Sequence, residues 1–187
     1  MTRRLGMRSA VWLCCLLVVT GCGQFDEASR NPYYVSDEDT ARYQEELRHM
    51  PSLEEAEAQM TDLIVRMGEA VAKIAPTTSW RWAQQRQQSG CNMPRLHTTG
   101  LSVQSAFRVS DVPIPEELWA PSLAAAREIA ASVGIDRLVV QVDLPGRHVV
   151  QLVSDDGRLV RIGSFKAASL TTDTGCRLRE AELGGAQ

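Results

Sequence analysis

A cysteine standing directly behind Val19-Thr20-Gly21, at the close of an apolar run, carries the clearest chemistry in this sequence. Small residues before a cysteine let its thiol take a diacylglyceryl group. Cleavage then frees the Cys22 amine for a further acyl chain such as palmitate. The residues ahead fit that processing: Arg3, Arg4 and Arg8 form a positive flank. Ala10 to Val19 (AVWLCCLLVV) is apolar but too short to span a bilayer. Residues 1–21 read as a lipoprotein signal peptide, which places the mature chain on the extracytoplasmic side of the cell membrane. Each buried acyl methylene contributes about 0.8 kcal/mol, so two or three chains make the anchor effectively permanent. Arg3-Arg4 is followed by Leu-Gly-Met, a poor match to a twin-arginine signal, and general export is the expected route.

Cys14 and Cys15 leave with the signal and Cys22 is taken by lipid, so Cys91 and Cys176 remain as a pair. An even number of thiols in an exported chain reads as a disulfide. The alternative, a metal pair, lacks neighbouring ligands, since His49, His97 and His148 are isolated and no C-x-x-C occurs. No metal or cofactor is expected.

Catalytic patterns are missing: there is no G-x-S-x-G, no H-E-x-x-H, no phosphate-binding glycine loop with lysine and no dinucleotide fingerprint. The three histidines read as surface or strand-end residues. Asp143, Asp155 and Asp156 suggest a carboxylate pair, but two of them frame a glycine turn, where aspartate bonds its own backbone. No catalytic residues are therefore assigned. Tryptophan stands out instead. Trp80 reads as core, while Trp82, close to a polar loop, and Trp119, in a proline-flanked turn, are candidate binding residues for a partner or an apolar ligand.

Charge narrows the partners. Three arginines and no acids leave with the signal, taking the formal net charge from −3 to −6, and the acids crowd between Asp26 and Asp62. Nucleic acid and anionic lipid headgroups both need a basic footprint and are poor partners for such a chain.

The elements that must hold these residues follow from periodicity. Residues 22–35 have no period and read as a lipidated tether, and 36–180 as one domain, with 181–187 a loose tail. Ser36 and Asp39 open a short helix to about His49; Ser52 and Glu55 form a capping box for a longer one. Met60, Ile64, Met67, Val71 and Ile74 give that helix one apolar face until Pro76 stops it. Thr78 to Ala83 reads as a strand, and Gln84 to Pro94 as a polar loop. Leu101 to Ser110 reads as a single alternating strand, with Leu101, Val103, Ser105, Phe107 and Val109 on one face. Ala124 to Val133 is helical, with Pro121 separating it from a turn at Glu116 to Trp119. Leu138 to Leu144, His148 to Ser154 and Leu159 to Gly163 form a meander across Pro145-Gly146 and Asp156-Gly157, and a last strand follows from about Ala168. This order implies an α+β fold: a single antiparallel sheet with helices packed on one face.

The succession of Cys22, a long helix, Ile74-Ala75-Pro76 leading to Ser79-Trp80-Arg81-Trp82, Ser89-Gly90-Cys91, Ala125 to Gly134 and Thr174-Gly175-Cys176-Arg177-Leu178 resembles the LppA-type lipoproteins of mycobacteria. The resemblance covers most of the mature chain. It implies Cys22 as lipid site, Cys91 and Cys176 as structural cysteines and Trp80 as a core aromatic, and brings no activity with it. Arg177, Arg179 and the short C-terminus depart from the pattern. The resulting expectation is a membrane-anchored, non-enzymatic envelope lipoprotein binding a protein partner or a small apolar ligand. An envelope hydrolase acting on cell wall or lipid and a surface-exposed host-interaction protein are the alternatives.

Overall fold

The computed structural model describes residues 34–184; the signal segment, Cys22 and the tether through residue 33 lie outside the described residues. From Val35 onward the chain forms one compact unit. Its first helix, α1 (Asp37–Arg48), is capped by Ser36, whose hydroxyl accepts the Asp39 N–H at 3.0 Å. Helix α2 (Leu53–Ile74) starts on the capping box, with the Glu55 N–H donating to Ser52 Oγ and the Ser52 N–H donating to Glu55 Oε2 at 2.9 Å. Met60, Ile64, Met67 and Val71 of its apolar stripe are all buried. Each such side chain contributes about 1.5–3 kcal/mol on leaving water, so the stripe pins α2 to the sheet.

The strands are β1 (Arg81–Ala83), β2 (Gln87–Gly90), β3 (Leu101–Gln104), β4 (Phe107–Ser110), β5 (Arg137–Leu144), β6 (Arg147–Val153), β7 (Leu159–Ser164) and β8 (Ala168–Asp173), with α3 (Glu116–Ala131) between β4 and β5 and a short α4 (Glu180–Leu183) at the end. All pairings are antiparallel, in the order β1-β4-β8-β7-β6-β5, and the β2–β3 hairpin joins β8 through Gln104 opposite Asp173. The fold is thus the expected α+β type. The inward face carries Val150, Leu152, Val160, Ile162, Ala168 and Leu170, and these form one core with α2 and α3.

Four elements differ from the sequence-based expectation. Leu101 to Ser110 is two strands, because Gln104 lies opposite Asp173 while Arg108 lies opposite Leu170, leaving one extra residue on this side of the pairing. An odd insertion reverses the facing of everything after it. Phe107 and Val109 therefore turn outward, and Arg108 and Ser110 turn in. Arg108 donates to the Val65 carbonyl of α2 at 3.2 Å, and its Nη1 lies 2.8 Å from where a Cβ on Gly68 would stand, so Gly68 is the gap in α2 that admits it. Helix α3, for its part, runs unbroken through Pro121. The burial of Trp119, Ser122, Ala126 and Ala130 along one side outweighs the missing N–H. A strand, β2, also occupies part of the expected polar loop, and α4 stands at the expected loose end.

Candidate functional site

At one end of the sheet the loop after β2 meets the segment after β8, and Cys91 and Cys176 form a disulfide with Cα atoms 5.5 Å apart. Gly100 presses against it: a Cβ there would lie 2.6 Å from Cys176 Sγ and 2.9 Å from Cys91 Sγ. Next to this bond Arg177 is wholly buried at 0 % exposure. Its Nη2 donates to Asp156 Oδ2 at 2.8 Å, and its Nη1 donates to the carbonyls of Asp156 at 3.1 Å and Cys176 at 2.7 Å. Asp156 also receives Arg158 Nε and the Ser154 hydroxyl. Burial on its own would raise the Asp156 pKa, but Ser154, Arg158 and the Arg177 charge together hold it below the usual carboxylate range. Arg177, a departure from the family pattern, is an internal strut.

The opposite end of the sheet holds a second convergence of titratable groups. Pro145-Gly146 closes the β5–β6 hairpin, with Gly146 at φ +71°, and places Asp143 opposite His148. Asp143 Oδ1 lies 2.8 Å from His148 Nδ1, and Glu116 Oε2, from the first turn of α3, lies 3.0 Å from Nε2. The Gly146 N–H donates to the same Glu116 oxygen at 2.6 Å. The ring is stacked on Trp119 with centroids 4.6 Å apart and is only 5 % exposed. Carboxylates only accept, so in the protonated ring both nitrogens donate, one to each carboxylate. In that form the ring ties the β5–β6 hairpin to the first turn of α3, the geometry of a latch. His148 is a strand-end residue as expected, second in β6, but it is not at the surface: its side chain faces inward. The signal was in the hairpin register, since a two-residue turn at 145–146 sets 143 against 148.

Burial depresses the affinity of His148 for its proton, but the hydrogen bonds to Glu116 and Asp143 and their charges outweigh it and raise the pKa above its ordinary 6.5. A raised folded-state value stabilises fully below pH 6.5, and the contribution shrinks above that and vanishes once pH passes the folded value. Glu116 is shifted down by His148 and by the Gly146 N–H, so its contribution is present above about 4.5 and is lost as pH falls. The melting temperature of the wild type is therefore expected to fall from pH 6.5 upward, with a flatter profile in His148→Gln. Proton NMR of the His148 ring checks this directly. A midpoint below 6.5, or an unchanged slope in the variant, would refute it.

The two candidate binding tryptophans are not brought together. Trp119 is 7 % exposed and belongs to the core, because α3 continues through Pro121 and turns this residue onto the sheet. It is withdrawn as a binding residue. Trp82, 48 % exposed, lies on the helix-covered face at the β1 edge, near the Arg108 guanidinium at 5.6 Å. Strands β4, β8 and β7 separate β1 from β6, about 19 Å at the usual strand spacing. Trp80 packs against the core as the resemblance implies. Three clefts among the described residues are shallow, about 250 to 310 Å³, and the one beside the disulfide is lined by Arg95, Ser102, Asp156 and Asp173 among others. That volume sits at the low end for a ligand site, and an acyl chain needs more enclosure. No group of three or more His, Cys, Asp or Glu among the described residues is arranged to hold a metal ion.

A single antiparallel sheet backed by two helices and cross-linked at one end defines a small α+β domain. A family model described as LppA, a lipoprotein confined to pathogenic Mycobacterium, matches residues 29–180, and the chain belongs to that family. Its fold is similar to that of the crystallised LppA of Mycobacterium tuberculosis, with a TM-score of 0.66 and 16 % identity, covering 86 % of this chain and 96 % of that one. A DUF4853 family protein from Actinomyces odontolyticus matches at a TM-score of 0.47 and 15 % identity over 74 % of this chain and 77 % of its own. No curated protein matches the sequence.

Proposed function

We propose that this lipoprotein is held by Cys22 on the extracytoplasmic side of the cell membrane and acts without catalysis, docking a protein partner on the open face of its sheet. The observation that carries this reading is the outward face itself. Helices α2 and α3 pack on the other side, leaving Phe107, Val109, Val139, Val142, Val149 and Val153 only part-buried around Gln151 and Arg161. The one-residue jog between β3 and β4 adds the phenylalanine to that surface. Apolar side chains spread over an open sheet face suit a protein surface, whereas the shallow clefts suit an apolar small molecule poorly.

Photo-crosslinking in cells tests it, with a photoreactive side chain at Val149 or, as a control, at Glu128 on the outer side of α3. A discrete protein adduct from position 149 and none from 128 is the expected result. Equal adducts from both positions, or none, would overturn the surface assignment. The anchor has its own readout: Cys22→Ala is expected to leave an unprocessed chain that takes up no labelled fatty acid, and equal labelling would overturn it.

A further inference from the structure

Three connections meet at the end of the sheet away from the disulfide, and each presents an apolar side chain to solvent. Leu144, at the β5–β6 turn, is 56 % exposed; Phe165, at the β7–β8 turn, is 54 % exposed; and Val112 stands out from the β4–α3 connection, whose carbonyl at 112 receives the Ala168 N–H. They are neighbours by register. Leu144 lies opposite Arg147, and His148 lies opposite Ser164, which brings Arg147 beside Phe165. The Arg147 guanidinium sits 5.4 Å from the phenyl centroid and the Lys166 ammonium 6.0 Å from it. Nothing in the core explains this end, since a leucine and a phenylalanine on turn tips contribute little by burial.

We infer that this tip, Leu144 and Phe165 with Arg147 and Lys166, docks against the anionic bilayer to which the chain is tethered. Apolar tips enter the headgroup–acyl boundary, while long cationic side chains reach back to lipid phosphates. The overall charge is negative, but the local balance differs. The acids at this end are Glu116 and Asp143, both occupied by His148; Asp111, paired with Arg81 at 2.6 Å; and Glu117. Arg147 and Lys166 pair with none of them. Tether length permits the contact. From Cys22 to Val35 a fully extended chain reaches about 46 Å. A domain of this size is about 38 Å across. The tip can therefore face the membrane wherever the tether leaves the domain. Tethering also keeps the local lipid concentration high, so a weak contact is enough to orient the domain.

The inference rests on the lipid anchor proposed above, and the experiment separates the two. The full lipidated chain carrying Ala167→Cys, labelled with an environment-sensitive fluorophore, is reconstituted into phosphatidylcholine vesicles with or without phosphatidylglycerol, and Glu128→Cys serves as the control position. Flotation with the vesicles reports the anchor. Blue-shifted emission and quenching by spin-labelled lipid at position 167, absent at 128, report the tip. Both signals are expected to be strongest with phosphatidylglycerol, to weaken as salt is raised, and to disappear in Leu144→Ser/Phe165→Ser while flotation persists. Flotation without quenching at 167, or quenching that survives the double substitution, would overturn the docking. So would a concentration-dependent dimer abolished by that substitution, which would assign the tip to self-association.

Discussion

Cys91→Ser/Cys176→Ser is expected to cost this domain about 4 to 5 kcal/mol, because the disulfide closes a loop with a sequence separation of 85. The effect acts mainly on the unfolded chain, which gains the freedom the bond denies it. At a few degrees per kcal/mol for a domain of this size, the melting temperature drops by roughly 8 to 20 °C. The native state suffers as well, since Gly100 is packed against the two sulfurs and would border a gap. Urea unfolding of the oxidised protein against the double variant measures the difference. An unmoved midpoint would show that the segments after β2 and β8 are held by packing alone.

Asp156→Ala is expected to cost about 3 to 5 kcal/mol, as when one partner of a buried ion pair is removed and the other is left uncompensated. Arg177 cannot swing out to water: it is fully buried, and its Nη1 also serves the Asp156 and Cys176 carbonyls. Asp156→Asn, which keeps an acceptor and loses the charge, is expected to cost less, and Asp156→Ala/Arg177→Met is expected to recover much of the loss by removing the stranded charge as well. A loss below about 1 kcal/mol in the alanine variant would place Arg177 in contact with solvent or with another acid. Asp156 is held below the usual carboxylate range, so its stabilisation is present above the ordinary 3.8 and fades as pH falls through the folded value.

Much of the fold could be read from local patterns because those patterns were unopposed. Ser52 and Glu55 fix the start of α2, its stripe lies where spacing puts it, and the meander β5 to β7 agrees with the sequence to within a residue at each end. What escaped depended on partners distant in sequence. Phe107 and Val109 alternate in step with Leu101 and Val103, and only the pairing of both halves with β8 shows that a residue is inserted between them. Pro121 announces a break, and only the core under Trp119 shows why the helix continues. Glu116 and His148 are 32 positions apart, so no local pattern joins them, whereas Asp143 and His148 were within reach of a hairpin count. Nothing local marks Arg177 for burial, which follows from Asp156 arriving on the turn between β6 and β7.

The bond between Cys91 and Cys176 also decides what a protease can do to this molecule. Everything from β3 to β8, with α3, lies inside one covalent ring, while α1 and α2 hang from it at residue 91. A single cut anywhere between 92 and 175 opens the ring without releasing either piece. Both halves remain joined to the amino-terminal segment, and the nick becomes visible only after reduction. Shedding the sheet in one step requires cleavage upstream of the ring.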